Sequence, residues 1–302
     1  DRDVRAKLIY NPAAGRAAGA SRMKKIMRSL ADGGIEAEIG VVGRPGDARQ
    51  FAVSARDGSF DMVICAGGDG TIHEVINGIA GSNLLLGVLP MGTGNVLAWD
   101  LGLPLDPVEA CEVLKLGAER TIDLGRSSDG RYFSCMAGVG IDAQIVRDVP
   151  PLAKGILGSF AYMLSGIRTL VHHGLTELSI GMDGRPPVLG YAAVICNSTH
   201  YGGRFKLCPS AVIDDGWLDV AILQKRDSLA LLRSSLSVIM DNRPRKETIS
   251  FTRARMVLVN SAQKTLVQSD GDIIGATPIG FSIAPRALRV MAPARKPGGG
   301  AA

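Results

Sequence analysis

The stretch VICAGGDGTIHEVINGI, residues 63–79, decides the fold. An apolar run reaches Ala66, and three glycines and one aspartate interrupt it at 67–70. After the interruption, apolar residues recur at the spacing of one helix face: Ile72, Val75, Ile76 and Ile79. The pattern predicts a buried strand, a glycine-rich turn and a helix, and the pair Thr71 and Glu74 predicts a capping box at the helix start.

The chemistry of this turn has two interpretations. Glycines before a helix let backbone N–H groups approach a phosphate, and the helix dipole favours its charge. The carboxylate of Asp69 would repel that phosphate unless a cation lies between them, and Mg²⁺ is the natural candidate. Alternatively, Gly67 and Gly68 form a tight turn and Asp69 only caps the helix. Residues 63–79 alone leave these interpretations equally supported.

Two further loops favour the phosphate interpretation. The segment LGVLPMGTGNVLAWDLGLP, residues 86–104, again predicts a strand, a glycine turn at 92–95 and a helix. A third loop, NPAAG at 11–15, ends the first predicted strand. The carboxyl ends of parallel strands lie at one edge of a sheet, where such folds bind ligands. The chain contains neither a P-loop motif nor a G-x-G-x-x-G that opens a helix.

The rest of the chain predicts two domains. Strands at 6–12, 35–42, 60–66 and 83–90 alternate with helices, which indicates an α/β domain with a parallel sheet over residues 1–122. Asp-Gly turns at 129–130 and 183–184 separate short β-rich segments, which indicates an antiparallel sandwich or barrel over residues 123–285. Two helices, near 154–171 and 227–240, are expected to interrupt it.

Composition limits the partners. The 302 residues carry a net charge of +5, which favours anionic partners such as nucleotide phosphates or acidic lipid head groups. Nucleic acid is disfavoured because aromatic residues make up only 5% of the chain and no basic block interleaves with them. The five cysteines are scattered, and no apolar run has the length of a signal peptide or a membrane span. These features favour a soluble protein in a reducing, cytoplasmic compartment.

The motifs resemble the catalytic domain of the diacylglycerol kinase family, which includes sphingosine and ceramide kinases and soluble bacterial lipid kinases. The resemblance rests on GGDGTIHEVING and LPMGTGN, and on later segments in the family's order: NPAAG, GDA at 46–48, MAGVGIDA, YGGRFKLCPSAVIDDGWLDV and VQSDGD. It runs from about residue 7 to 293. It implies an NAD-kinase-like α/β domain followed by an antiparallel β-sandwich, with the active site in the cleft and a last strand near 286–293 that returns to the first domain.

The resemblance also implies residue roles. The nucleotide-binding positions are Asn11, Gly67, Gly68, Asp69, Gly70, Thr71, Ile72, His73, Gly92, Thr93 and Asn95. Asp69 would organise the Mg²⁺–ATP complex. A second, structural magnesium would be held by Asp215 with the main-chain oxygens of Val212 and Trp217. Asp272 occupies the place of the family's glutamate base, and Asp270 could share that task; a plain hairpin turn is the alternative interpretation of both segments.

The sequence therefore predicts an ATP- and Mg²⁺-dependent kinase for a diacylglycerol-like or sphingoid lipid hydroxyl. Such an enzyme would dock reversibly on the inner face of the membrane, and residues 1–30 and 243–255 supply basic stretches for this. Two alternatives remain open: a kinase for a soluble hydroxyl such as that of NAD, and an inactive module that binds lipid or nucleotide. The acceptor lipid and the oligomeric state, for which a homodimer is one candidate, are not identified by the sequence.

Overall fold

A computed structural model describes residues 4–15, 19–148, 175–224 and 249–294. Contacts between Cα atoms divide the chain into two units: Asp1–Ile122 with Arg286–Ala302, and Asp123–Pro285. The helices predicted near 154–171 and 227–240 lie outside the described residues, as does part of each basic stretch.

The first unit alternates strands and helices. In chain order these are β1 (Val4–Tyr10), α1 (Ala20–Asp32), β2 (Ile35–Val41), α2 (Asp47–Asp57), β3 (Met62–Gly67), α3 (Asp69–Ile79), β4 (Leu85–Pro90), α4 (Val96–Leu101) and α5 (Pro107–Leu116). The strands are parallel in the order β2-β1-β3-β4. The last strand of the chain, Ile279–Ala292, pairs with β4 in parallel through Arg289 and Val290.

Burial explains why these segments form a covered parallel sheet. All six residues of β3 are buried, as expected for a strand with apolar side chains on both faces. Helices α1 and α5 pack on the sheet through Ile26, Leu30 and Leu114. Helices α2 and α3 approach closely at Gly78, where an added Cβ atom would lie 2.5 Å from the Cβ of Ala52.

The capping box predicted at Thr71 and Glu74 is wrong. Helix α3 begins two residues earlier, at Asp69, and its N-cap residue is Gly68, which has no side chain that could cap the helix. Thr71 and Glu74 instead form hydrogen bonds with Asn11 and Gly46.

The second unit is antiparallel. Its elements, the first of which begins in the first unit, are β5 (Ala118–Ser127), β6 (Tyr132–Phe133), β7 (Met136–Gly140), α6 (Ile141–Asp148), β8 (Leu178–Met182), β9 (Val188–Gly190), β10 (Ala192–Cys196), β11 (His200–Tyr201), β12 (Phe205–Lys206), β13 (Leu218–Leu223), β14 (Ile249–Ala254), β15 (Met256–Ser261), β16 (Leu266–Ser269), β17 (Asp272–Ala276) and β18 (Ile279–Ala292). One layer has the order β14-β13-β10-β7-β16-β17, and a second contains β18-β15-β8-β9.

The two layers share one apolar core. Ile195 and Val220 of the first layer and Val259 of the second belong to the same buried cluster. Phe133 and Phe281 meet there edge to face, with ring centroids 6.0 Å apart. The predicted fold class, an α/β domain followed by a β-sandwich, is confirmed. Within the described ranges, no helix combines the length and the apolar character needed to cross a bilayer.

The sandwich core generates a stability prediction. Phe133 is fully buried, so we expect Phe133→Ala to leave a cavity and to lower the free energy of unfolding by about 3–5 kcal/mol in urea denaturation. Met256→Ala is the control, because the Met256 side chain is 65% exposed and its loss should change that free energy by less than about 0.5 kcal/mol. Equal losses in the two variants would contradict this assignment of the core.

Candidate active site

The first of three loops in the α/β unit is fastened by Asn11, directly after β1. The backbone N–H of Asn11 donates to the carbonyl oxygen of Ala66 at 3.0 Å. The side-chain oxygen of Asn11 accepts from the N–H of Ala13 at 3.0 Å, and its Nδ2 donates to Oγ1 of Thr71 at 2.9 Å. Thr71 thus helps to attach this loop to α3 instead of capping the helix.

The loops that follow β3 and β4 touch through their backbones. A Cβ atom added at Gly92 would lie 2.7 Å from the Cα of Gly68, and one added at Gly68 would lie 3.2 Å from the Cα of Gly92. The first loop comes even closer, since a Cβ atom added at Gly15 would collide with the carbonyl oxygen of Met91. Glycine is needed at these positions because neighbouring backbone occupies the space of a side chain.

Asp69 links two helices. Its Oδ2 accepts from the N–H of Asn95 at 2.8 Å, and its Oδ1 accepts from the N–H of Val96 at 2.7 Å. These N–H groups lie at the start of α4. The first backbone donors of a helix have no acceptor within that helix. Asp69 is itself the first residue of α3. One carboxylate therefore caps α4 while its own backbone starts α3.

Asn95 closes the third loop upon itself. It is buried in the left-handed conformation, with φ 51°. Its Oδ1 accepts from the N–H of Gly92 and its Nδ2 donates to the carbonyl oxygen of Gly92, both at 2.9 Å. The side chain therefore shapes the turn at 92–95.

Glu74 has a role that the local sequence pattern missed. Its Oε1 accepts from the N–H of Gly46 at 2.9 Å, and its Oε2 accepts from the N–H of Arg49 at 3.4 Å. These donors belong to the start of α2, so Glu74 caps a neighbouring helix. The GDA segment at 46–48, noted in the sequence, is the signal that could have pointed to this contact.

In the β-sandwich unit, Asp270 lies in the hairpin turn between β16 and β17. Its Oδ2 accepts from the N–H and the hydroxyl of Ser134, at 2.7 and 3.1 Å. Its Oδ1 accepts from the N–H groups of Cys135 and Met136, at 3.0 and 2.9 Å. A carboxylate offers about four lone-pair sites, and these four donors engage them. Asp270 therefore holds the segment that enters β7.

Asp272 has a different environment from Asp270. It is the first residue of β17, lies opposite Ser269 in the strand register, and is exposed. Asp270 and Gly271 both have positive φ, 45° and 91°, as a tight hairpin requires. The turn thus places one acid of the SDGD segment against the backbone and the other toward solvent.

The loop with the predicted magnesium ligands contains a carboxylate cluster. Oδ1 of Asp215 accepts from the N–H of Trp217 at 3.1 Å, and its Oδ2 lies 3.2 Å from Nη1 of Arg253. Partial burial raises the pKa of the Asp215 carboxyl above its usual value. The hydrogen bond from Trp217 and the charge of Arg253 oppose this and lower the pKa, whereas the negative charges of Asp219 and Asp123 raise it further. Sequence reasoning assigned no role to Asp123 or Asp219, and it considered Arg253 only as part of the basic stretch at 243–255.

Comparisons with known proteins show the family to which the chain belongs. The family model for the diacylglycerol kinase catalytic domain matches residues 5–127, and the model for the YegS C-terminal NAD kinase beta sandwich-like domain matches residues 135–292. A diacylglycerol kinase from Bacillus subtilis (strain 168) is 33% identical over 298 residues, 97% of each chain. The chain belongs to the diacylglycerol kinase family.

Other members of the diacylglycerol kinase family show the same relationship. One from Staphylococcus aureus is 30% identical over 96% of this chain and 92% of its own. A crystal structure of a Bacillus anthracis diacylglycerol kinase has a TM-score of 0.75 at 20% identity and covers 95% of this chain and 96% of that one. A second structure, from the same organism, has a TM-score of 0.84 at 24% identity and covers 97% of this chain and 96% of that one. These two structures support the fold alone.

The nucleotide positions that the kinase family implies fall into three groups by exposure. Gly70 and Thr93 are exposed, whereas the half-buried members are Asn11, Gly68, Asp69 and Gly92. The buried members are Gly67, Thr71, Ile72, His73 and Asn95. The exposed and half-buried groups are accessible at the surface. In the buried group, Thr71 and Asn95 bind the loops, and Nε2 of His73 lies 3.5 Å from the amide nitrogen of Asn77 within α3.

The two magnesium ions that the kinase family implies fit differently. Both oxygens of the half-buried Asp69 accept hydrogen bonds from neutral backbone N–H groups, and these contacts do not neutralise its charge, which suits a metal ion. At the second site, one oxygen of Asp215 accepts from a backbone N–H group and the other is paired with the positive guanidinium group of Arg253. Among the described residues, no group of three or more His, Cys, Asp or Glu side chains is arranged for a metal ion. The contacts of Asp215 therefore do not favour the second ion.

The backbone contact between the kinase loops generates a binding prediction. We expect Gly92→Ala to separate the loops, because its Cβ would collide with the Cα of Gly68, and to weaken ATP affinity roughly tenfold or more in calorimetric titration. Gly19→Ala is the matched control, since nothing lies within 4 Å of the added Cβ. Unchanged affinity in Gly92→Ala would contradict a role of this contact in nucleotide binding.

Asp69 generates a second prediction. Asp69→Ala leaves the N–H groups of Asn95 and Val96 without their acceptor, at a cost of about 1–3 kcal/mol for each buried donor. We expect both the melting temperature and the ATP affinity to fall, while Asp57→Ala, which removes an exposed acid at the end of α2, changes neither. Loss of turnover with normal ATP affinity and melting temperature would mean that Asp69 acts in the chemical step and not in positioning.

Proposed function

We propose that this protein is an ATP-dependent lipid kinase, which transfers the γ-phosphoryl group to a lipid hydroxyl of the diacylglycerol or sphingoid type. The observation that carries the proposal is the junction of three glycine-bearing loops after β1, β3 and β4, with Asp69 bound to the start of α4. Relatives named diacylglycerol kinase, alignable over nearly the whole chain, support the lipid acceptor.

The α/β unit binds the triphosphate in this proposal. Backbone N–H groups at the start of α3 face the phosphate oxygens, together with those of Thr93 and Gly94, which lie between the engaged N–H groups of Gly92 and Asn95. The fixed loops avoid the entropic cost of ordering them for each substrate. Asp69 would hold a magnesium ion beside the triphosphate, and the ion would supply positive charge that offsets the negative charge of the phosphoryl oxygens. The remaining task for this unit is to hold the γ-phosphorus in one position.

The β-sandwich unit supplies the base in this proposal. Asp272 accepts the proton of the acceptor hydroxyl as that oxygen forms its bond to the γ-phosphorus, and the bond from phosphorus to ADP breaks. Asp270 is less suited to this step, since four donors already engage its carboxylate. Asp270 positions the turn that presents Asp272.

Variants at Asp272 test this assignment. We expect Asp272→Asn to lower kcat by about 10²–10⁴-fold, because an amide cannot accept the proton, and Asp272→Glu to retain activity, because it restores the carboxylate usual in the family. Glu177→Gln, which neutralises an exposed acid of the same unit, should have no effect. A folded Asp272→Asn with near-normal kcat would overturn the assignment.

The acceptor class needs a direct assay. Labelled γ-phosphate from ATP, with Mg²⁺, is offered to mixed micelles of diacylglycerol, phosphatidylglycerol or sphingosine, and separately to NAD. The proposal predicts a labelled lipid with wild type and little with Asp272→Asn. Label in NAD alone would identify a kinase for a soluble hydroxyl, and ATP binding without transfer to any acceptor would identify an inactive binding module; either result would overturn the lipid-kinase proposal.

A further inference from the structure

Arg253 of β14 contacts three residues of the segment at 210–219. It lies directly opposite Asp219 of β13 in the strand register. Its Nε is 3.3 Å from Oδ2 of Asp219, and its Nη1 is 3.2 Å from Oδ2 of Asp215. Its Nη2 donates to the carbonyl oxygen of Ser210 at 2.8 Å. Each nitrogen of the guanidinium group thus contacts a different residue of the loop.

The surroundings of Arg253 carry a surplus of negative charge. The Asp219 side chain is 4% exposed, and its Oδ1 accepts from the hydroxyl of Ser210 at 2.9 Å. Asp123 is also buried, and its Oδ2 accepts from the N–H of Gly216 at 2.7 Å. Buried carboxylates are costly unless a positive charge or several donors compensate them. In the part of the chain that the structure describes, both ion pairs of this cluster are made by Arg253.

We infer that Arg253 is the internal cation of this loop, in the role that the family resemblance gives to a bound magnesium ion, and that the loop keeps its shape without a metal. The planar guanidinium group suits this role, because its fixed donors can bind two carboxylates and a carbonyl at once. Magnesium requires near-octahedral oxygen ligands and retains several waters, whereas both oxygens of Asp215 already face donors.

The same geometry predicts the condition under which a metal ion could bind to Asp215. The Arg253 side chain is 42% exposed, so it can leave the cluster without unfolding the sandwich. A divalent cation next to the guanidinium group would be repelled by it, so the two cations compete for Asp215. Removing the charge of Arg253 should therefore create a response to Mg²⁺ that the wild-type protein lacks. This inference does not rest on the proposed kinase activity.

Thermal unfolding of the full chain without nucleotide tests the inference. Melting temperatures are compared in EDTA, in MgCl₂ and in NaCl of the same ionic strength. Wild type should melt at the same temperature in all three. Arg253→Gln should melt roughly 5–10 °C lower in EDTA, because it leaves buried carboxylates unpaired, and should regain part of this in MgCl₂ but not in NaCl. Arg131→Gln, which removes an exposed arginine paired with Asp129 in the same unit, should resemble wild type.

Two further variants keep the inference falsifiable. The double variant Asp215→Asn/Arg253→Gln lacks one of the carboxylates that Arg253 binds. In EDTA its melting temperature should therefore be higher than that of Arg253→Gln, and MgCl₂ should raise it less. If Arg253→Gln yields no folded protein, Arg253→Lys replaces it and must show a gain in MgCl₂ that wild type lacks. The inference is overturned if wild type gains as much from MgCl₂ as the variant does, or if Arg253→Gln is as stable as wild type in EDTA.

Discussion

The carboxylate of Asp69 determines how the α/β unit presents its loops. Its two oxygens accept from the first donors of α4, while its own residue begins α3. Charge-assisted bonds from a carboxylate to backbone N–H groups are among the stronger hydrogen bonds in proteins. The turns after β3 and β4 are therefore fixed relative to each other, and the close approach of Gly68 and Gly92 follows from this constraint. In the proposed function, these loops would not have to rearrange to receive a phosphate.

Other short polar side chains extend the same arrangement. Asn11 binds Thr71 across 60 positions of sequence, and Glu74 binds Gly46 across 28. Each contact satisfies a polar group near the end of a strand or helix and also joins two segments that the chain brings together only on folding. A site built in this way is organised before its ligand arrives, and electrostatic stabilisation of a phosphoryl transition state requires such prior organisation.

These contacts also explain what the sequence could and could not predict. Apolar periodicity and Asp-Gly turns are local signals, and they were sufficient for the α/β domain, the sandwich and the turn at Asp270 and Gly271. The capping box was also a local inference, and it failed because Glu74 and Thr71 bind groups far away in the sequence. The pairing of Asp219 with Arg253 depends on the register of β13 and β14. That register results from packing and has no signature within either strand.

The acids of the sandwich unit lie in different surroundings. Asp270 meets four donors and becomes part of the backbone framework. Asp215 and Asp219 share one guanidinium group, so part of their charge is compensated within the protein. Asp272 lies at an exposed strand start two residues beyond Asp270. Residue type alone cannot separate these surroundings. An acid that holds a framework cannot also exchange protons without loosening it, which is why the proposed mechanism assigns the base to Asp272, the acid that the framework presents.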